Sequence, residues 1–301
     1  MNYPCAKNQT ALPVSVKKKT DPISIRQWLE AARQRLNGRQ DEPALSARLL
    51  AARHIKKDRA WIIAHDNDPL PAELITALEA DLDRLIQGVP LPYVLGAWEF
   101  YGLSFQVNES VLIPRPETEL LVETALNWIN QHPGPLRAAD VGTGSGCIAA
   151  ALAHHSPLMH ITAVDISRPA LRVARQNFLQ LNLAGQVSTL QSDLLSSLSG
   201  PLDLICANLP YIPSAKLPHL DVTAHEPSLA LDGGPDGLVL VQELLLQART
   251  RMANCFLILL EVEADHGQAA PELARQIFPQ ANITLLRDLA GLPRLVSIGF
   301  E

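Results

Sequence analysis

The chain has 301 residues, 47% of them hydrophobic and 19% charged, with a formal net charge of −6. That length exceeds what one ordinary core needs, so two domains are expected. No run of about 18 or more apolar residues occurs, which argues against a membrane-spanning helix, and the acidic balance argues against a general nucleic-acid binder.

The N-terminal stretch Met1 to Thr20 is polar and carries Lys17, Lys18 and Lys19. It has no apolar segment of its own and reads as a disordered tail over 1–21, not a signal peptide. The four cysteines, Cys5, Cys147, Cys206 and Cys255, include no CxxC pair. This usage predicts a reducing compartment, here the cytoplasm, with no disulfide framework and no zinc or other metal site.

Residues 22–88 read as a small helical bundle that recognises a partner or supports the rest of the chain. Ser24 and Gln27 have capping-box spacing, and Ile25, Trp28, Leu29, Ala32 and Leu36 follow a helical period. A second helix is predicted from Pro43 to His54 and a short third around Trp61 to Ala64. A fourth runs from near Pro71 and stops at Gly88. Residues 89–112 change character. Pro90 and Pro92 break the helical pattern, and Trp98 to Val107, centred on Gly102, predicts a β-hairpin linker. Ile113-Pro-Arg-Pro-Glu-Thr-Glu119 then opens a helix through Leu121, Val122 and Ala125.

From about 137 onward, strand and helix patterns alternate. Strands are predicted at Ala138–Val141, Ile161–Val164, Leu202–Ala207, Phe256–Leu260, Ile283–Leu286 and Leu295–Ile298. Helices are predicted at Ile148–Ala153, Pro169–Leu181 and Leu238–Met252. Val187 to Leu190 is a further apolar stretch. Such alternation predicts a mostly parallel sheet with helices on both faces, over 113–301.

Asp140-Val-Gly-Thr-Gly-Ser-Gly146 joins the first of these strands to a helix. Gly142, Gly144 and Gly146 let the backbone turn sharply and approach a ligand. Such a loop lies where α/β sheets bind nucleotides. The spacing is GxGxG, with Cys147 where a dinucleotide fingerprint wants its third glycine. That favours S-adenosylmethionine, which has a sulfonium and an amino-acid moiety instead of a pyrophosphate. Asp165 ends the second strand about 20 residues on, the position that holds ribose hydroxyls; its alternative job is to cap the helix beginning near Ser167. Asp140 either binds loop amides or lies near the methionine ammonium. Asp193 either contacts adenine or is an exposed loop aspartate.

Asn208-Leu-Pro-Tyr211 follows the strand 202–207. An ordinary Asn/Pro turn is one reading. The other is a site for a planar amide or aminopyrimidine nitrogen, whose delocalised lone pair makes it a poor nucleophile. The Asn208 side-chain oxygen and the Leu209 carbonyl would accept its two N–H groups. Pro210 restricts Leu209, and Tyr211 packs its ring on the flat group. Those bonds would strengthen as positive charge builds on nitrogen.

In their order, these motifs resemble the HemK/PrmC family of protein-(glutamine-N5) methyltransferases. The resemblance spans roughly 24–301. It rests on Gly96 to Gly102, Ile113 to Glu119, Asp140 to Gly146, Asp165, Asn208 to Tyr211, Glu226-Pro and Ala230 to Leu238. It implies an α/β fold: a seven-stranded Rossmann-like S-adenosylmethionine-dependent methyltransferase domain, preceded by a helical substrate-recognition domain and a β-hairpin linker. It implies methylation of the glutamine in the Gly-Gly-Gln segment of class-1 peptide chain release factors. Cofactor binding falls to Gly142, Thr143, Gly144, Ser145, Gly146, Asp165, Asp193, Leu194 and Asn208. Substrate binding falls to Asn208, Leu209, Pro210, Tyr211, Arg115, Pro116 and Glu117, with Asn208, Pro210 and Tyr211 catalytic. Glu119 either contacts cofactor or orders its loop.

Two departures stand out. Leu209 replaces a proline in the family's Asn-Pro-Pro-Tyr, and Leu194 stands where an aromatic often faces adenine. Two other functions share much of the pattern. An adenine-N6 methyltransferase would need a basic, aromatic-rich segment for an extruded base, which is lacking. A non-catalytic cofactor-binding module would carry a damaged loop, whereas all its glycines are intact. Glu261 and Glu263, after the strand 256–260, have no role on this reading.

Overall fold

The computed structural model describes residues 22–300. The tail expected over 1–21, with Cys5, lies outside them. The chain divides into one unit ending at Gly88 and a second starting at Val89.

The first unit holds α1 (Ile25–Leu36), α2 (Pro43–Ile55), α3 (Arg59–Ala64) and α4 (Ala72–Ile86). The capping box forms: the Ser24 hydroxyl accepts from the Gln27 amide, and the Gln27 side chain accepts from the Ser24 amide. The Asp58 carboxylate caps α3 by a single bond, accepting from the Trp61 amide. Trp28, Leu36, Leu50, Ile62, Leu78, Leu82 and Leu85 form the buried interior. The indole N–H of Trp28 donates to Glu79 at 2.7 Å, so its burial strands no donor. Gly88 takes φ +92° after α4, the left-handed stop expected of it.

The second unit starts with α5 (Leu91–Leu95). Pro90 and Pro92 end one helix, as expected, and also begin this short one, because proline fits a first helical turn. The hairpin follows: β1 (Ala97–Phe100) pairs antiparallel with β2 (Leu103–Gln106), turning through Tyr101 and Gly102, both at positive φ. Phe100 and Phe105 are buried in the same core as the helices that follow, so the hairpin is packed onto this unit.

The remaining elements are α6 (Glu119–Gln131), β3 (Arg137–Val141), α7 (Cys147–His155), β4 (His160–Asp165), α8 (Arg168–Gln180), β5 (Val187–Gln191) and β6 (Leu202–Ala207). They are followed by α9 (Val239–Ala248), β7 (Met252–Glu261), α10 (Ala269–Ile277), β8 (Asn282–Arg287) and β9 (Pro293–Phe300). The seven strands β3 to β9 form one sheet in the order β5-β4-β3-β6-β7-β9-β8, parallel except for β9, which is antiparallel to both neighbours.

Alternate residues of the central strands feed two cores, one on each face. Ala138, Leu204, Cys206, Leu257 and Leu259 pack with α6 and α7. Ala139, Ile205, Ala207, Ile258 and Leu260 pack with α9 and α10. The helix expected to reach Met252 ends at Ala248, because Met252 already pairs with Leu202 at the start of β7. The chain runs from β3 outward to β4 and β5, then returns to β6 on the other side of β3. The order therefore reverses between β3 and β6, where α/β sheets open a ligand crevice at their carboxyl ends.

Candidate active site

Val141 and Ala207 are register partners in β3 and β6. The glycine loop and the Asn208 loop therefore leave the sheet side by side, at the same edge. Gly142, Gly144 and Gly146 have φ of +73°, +55° and +82°. A Cβ on Gly142 would lie 3.0 Å from Leu209 Cδ2 and 3.7 Å from the Asn208 carbonyl oxygen, so the two loops touch. Gly146 serves a different purpose from its neighbours. A Cβ there would stand 2.6 Å from Phe178 Cζ, so this glycine lets α7 pack on α8 and does not line the cavity.

Asp140 is interior. Its Oδ2 accepts from Thr143 Oγ1 at 2.6 Å and the Ala149 amide at 3.1 Å, which sets the loop's curvature. Its Oδ1 has no partner, and burial raises its pKa to about 6. Of the two readings, the structure supports the loop-binding one. Asp165 lines the cavity and is also tied to backbone: Oδ2 accepts from the Gly144 amide at 2.9 Å and Oδ1 from the Ser167 amide at 2.8 Å. Each carboxylate oxygen has capacity for a second bond, so the helix-start and ligand-holding jobs are compatible. Burial raises the Asp165 pKa as well.

Asn177 fastens this region from behind. Fully buried, its Nδ2 donates to the Ser145 carbonyl at 2.8 Å and the Gln106 carbonyl at 3.0 Å, and its Oδ1 accepts from the Gln106 amide at 2.7 Å. One side chain thus joins the glycine loop to the hairpin.

Two cavities meet here. The first is lined by Gly142 to Ser145, Asp165, Ser192, Asp193 and Leu194, and by Arg115, Thr118 and Asn208 to Pro210. The second is lined by Tyr211, Ile212, Val222 and Leu231. Leu112, Arg115, Asn208, Leu209, Pro210 and Ala230 line both, forming the wall between them. Tyr211 lies only on the second cavity, and burial pushes its pKa up to about 12, which keeps it a neutral phenol. Leu194 holds φ +48°, a conformation uncommon for leucine, with its side chain buried at the cavity edge. The Pro116–Thr118 segment is a 3-10 turn, and Pro116 and Glu117 line neither cavity. Thr118 does, and Asn208 Nδ2 donates to its hydroxyl at 3.1 Å. Glu119 accepts from the Tyr101 amide at 2.9 Å, an ordering role in the hairpin turn.

Arg115 donates to Glu226 Oε1 at 2.5 Å, and Glu226 Oε2 accepts from the Ile113 amide. The buried Glu226 thereby anchors the segment that carries Arg115 into the wall. Behind the Asn208 loop, Ile212 bridges to Asp232, and a Cβ on Gly233 would stand 2.7 Å from the Pro210 carbonyl oxygen. Thr118, Glu226, Gly233 and Glu261 escaped sequence reasoning as working parts. Glu226 and Gly233 lay inside stretches that carry the resemblance, but only tertiary contacts assign them a task.

The site is thus a cavity lined by the glycine loop and Asp165 that shares a wall, carrying Asn208, with a second cavity lined by Tyr211. A family profile described as "PrmC N-terminal domain" matches residues 27–96, and one described as "Methyltransferase small domain" matches residues 117–256. The release factor glutamine methyltransferase of Moorella thermoacetica is 40% identical over 275 residues, covering 90% of this chain and 97% of that protein. The protein of the same name from Bradyrhizobium diazoefficiens is 38% identical over 296 residues, covering 92% and 96%. Among solved structures, the hMettl16 catalytic domain in complex with MAT2A 3′UTR hairpin 6 aligns with a TM-score of 0.54 at 17% identity, covering 70% of this chain and 81% of that one; this likeness is one of fold alone. The chain is an S-adenosylmethionine-dependent methyltransferase and belongs to the release factor glutamine methyltransferase family.

Proposed function

We propose that the chain methylates the side-chain amide nitrogen of the glutamine in the Gly-Gly-Gln segment of a class-1 release factor, in the cytoplasm, with Asn208 and the Leu209 carbonyl as the acceptor pair for that amide. The observation that carries this reading is the shared wall. Asn208, Leu209 and Pro210 face both the cavity lined by the glycine loop and the pocket lined by Tyr211.

The residues fit S-adenosylmethionine. Gly142 leaves a surface that a Cβ would fill, and Asp165 faces the cavity with spare acceptor capacity. Asp193 and Leu194 offer a polar and an apolar edge to adenine. When bound, S-adenosylmethionine supplies an electrophilic methyl on a sulfonium. The protein's own contribution is orientation and electrostatics. Two acceptors fix both N–H bonds of the amide and direct its nitrogen at the methyl. They attract those protons more strongly as the nitrogen becomes positive, which lowers the barrier selectively. Tyr211, kept neutral, packs on the amide plane, and Arg115 offers a cationic edge near the entrance. The described cysteines, Cys147, Cys206 and Cys255, are all free thiols, in keeping with a reducing compartment.

The test is mass spectrometry of a class-1 release factor after incubation with the enzyme and S-adenosylmethionine. One added methyl on the Gly-Gly-Gln glutamine is the expected result. Transfer to an oligonucleotide but not to the release factor overturns the proposal.

A further inference from the structure

Glu261 is the last residue of β7 and is only 2% exposed. Burying a carboxylate is costly unless its charge is used. The nearby Arg294 is hydrogen-bonded to Asp288, and Glu261 Oε2 has no partner. What Glu261 does have is position. Ala207 pairs with Leu260 in the parallel ladder, so Asn208 and Glu261 emerge next to each other at the carboxyl edge. The buried Thr118 stands with them, joined to Asn208 by a hydrogen bond, and the Thr118 and Asn208 side chains both act on the ionisation of the Glu261 carboxylate.

We infer that Glu261 is a positioning residue for Asn208: acting with the Thr118 hydroxyl, it holds the amide with Nδ2 turned inward and Oδ1 turned to the substrate. The inference rests on the acceptor role proposed above for Asn208. An asparagine side chain is nearly symmetric in shape, and a half-turn exchanges its acceptor for a donor. Presented to a substrate –NH2, the flipped form would repel where it should attract. Thr118 Oγ1 accepts from Asn208 Nδ2 at 3.1 Å, which leaves the hydroxyl proton to be donated. An ionised carboxylate only accepts, so it takes that proton and leaves the inward-facing end of Asn208 no choice but to be the N–H donor. The arrangement selects one flip state before substrate arrives, so no reorganisation is needed in the transition state.

Protonating Glu261 would remove that selection, because a neutral carboxyl can donate. Burial pushes its pKa up to about 7; the Thr118 and Asn208 side chains and the charge of Arg294 on β9 act the other way, and Glu117 adds to the rise. The remaining titratable groups that feel this charge are Tyr211, from the loop after β6, and Cys147 on α7. Glu263, two residues on, also acts on Tyr211. Turnover should therefore weaken as pH falls through about 7.

Two measurements test this. In the first, Glu261→Ala is expected to lower kcat at least tenfold while the S-adenosylmethionine Kd stays within about twofold. Glu261→Gln should retain part of the turnover and lose the acid limb near pH 7, and Thr118→Ser should recover much of what Thr118→Val loses. In the second, protein labelled with 15N-asparagine reports hydrogen exchange of the Asn208 Nδ2 protons without any substrate. Exchange should be slow in the wild type and at least tenfold faster in Glu261→Ala and Thr118→Val. An unchanged kcat, a cofactor affinity that falls in step with kcat, or exchange equal to wild type in the folded variants would each overturn the inference. A wild-type enzyme that leaves the release factor unmethylated defeats the function proposed above, whereas the exchange measurement still decides the role of Glu261.

Discussion

Gly142 and Leu209 stand so close that a methyl group on the first would sit 3.0 Å from the δ2 carbon of the second. Gly142 also has φ +73°, where side chains cost strain. Gly142→Ala is expected to cost about 1–3 kcal/mol in the local conformation and to weaken S-adenosylmethionine binding at least tenfold. Calorimetry measures this. Adding Leu209→Ala should return part of the loss, because the crowding partner is gone, and that non-additivity is the signature of the contact.

Asn208→Ala removes the proposed acceptor. Turnover should drop on the order of a hundredfold, since the lost hydrogen bond is strongest in the transition state. Cofactor affinity should change far less. Single-turnover kinetics alongside cofactor titration separates the two. Equal losses in both would show that Asn208 serves the cofactor and not the amide.

Asp165→Ala releases the Gly144 and Ser167 amides together and takes away the acceptor for ribose hydroxyls. The cofactor Kd should rise at least tenfold, while the fold persists because Ser167 still caps α8 through its hydroxyl. Asp165→Asn, which keeps one acceptor oxygen, should fall between the two. A Kd that does not move in either variant rules out the ribose role.

Asp140 and Glu261 give the ligand-free protein a pH dependence of definite sign. Burial lifts both above their ordinary carboxylate values, to about 6 and about 7. A raised folded pKa contributes stability that is complete below the unfolded value and is lost as pH rises through the folded one. These two groups should therefore lower the melting temperature by several degrees between pH 5 and pH 8. Asp140→Asn should flatten the lower part of that fall, and its melting temperature relative to wild type should climb with pH. Thermal unfolding across that range checks it, and a wild-type curve that rises instead contradicts the burial argument.

The frame of the second unit was legible because local chemistry and tertiary structure agree there. The short segment 138–141, apolar but for Asp140 and followed at once by spaced glycines, marks a strand running into a tight loop, and the Asn208 motif stands at the end of another strand. Where they compete, sequence reasoning failed. The α9 pattern continued apolar past Ala248, and only pairing with Leu202 tells Met252 that it is a strand. The helix α10 went unnoticed because its buried Ala270, Ala274 and Ile277 are mostly small. Gly146 looked like its neighbours in the loop, yet Phe178, 32 positions away, claims it. Thr118 lies inside the Ile113–Glu119 motif, yet its value comes from Asn208, 90 positions along.

The clasp made by Asn177 has a mechanical consequence. Its three hydrogen bonds grip a strand of the hairpin with one hand and the donor loop with the other. A force that tilts β2 must either strain the Ser145 carbonyl or break bonds worth about 0.5–1.5 kcal/mol each. Whatever steadies one end steadies the other, and thermodynamic reciprocity makes the influence equal in both directions.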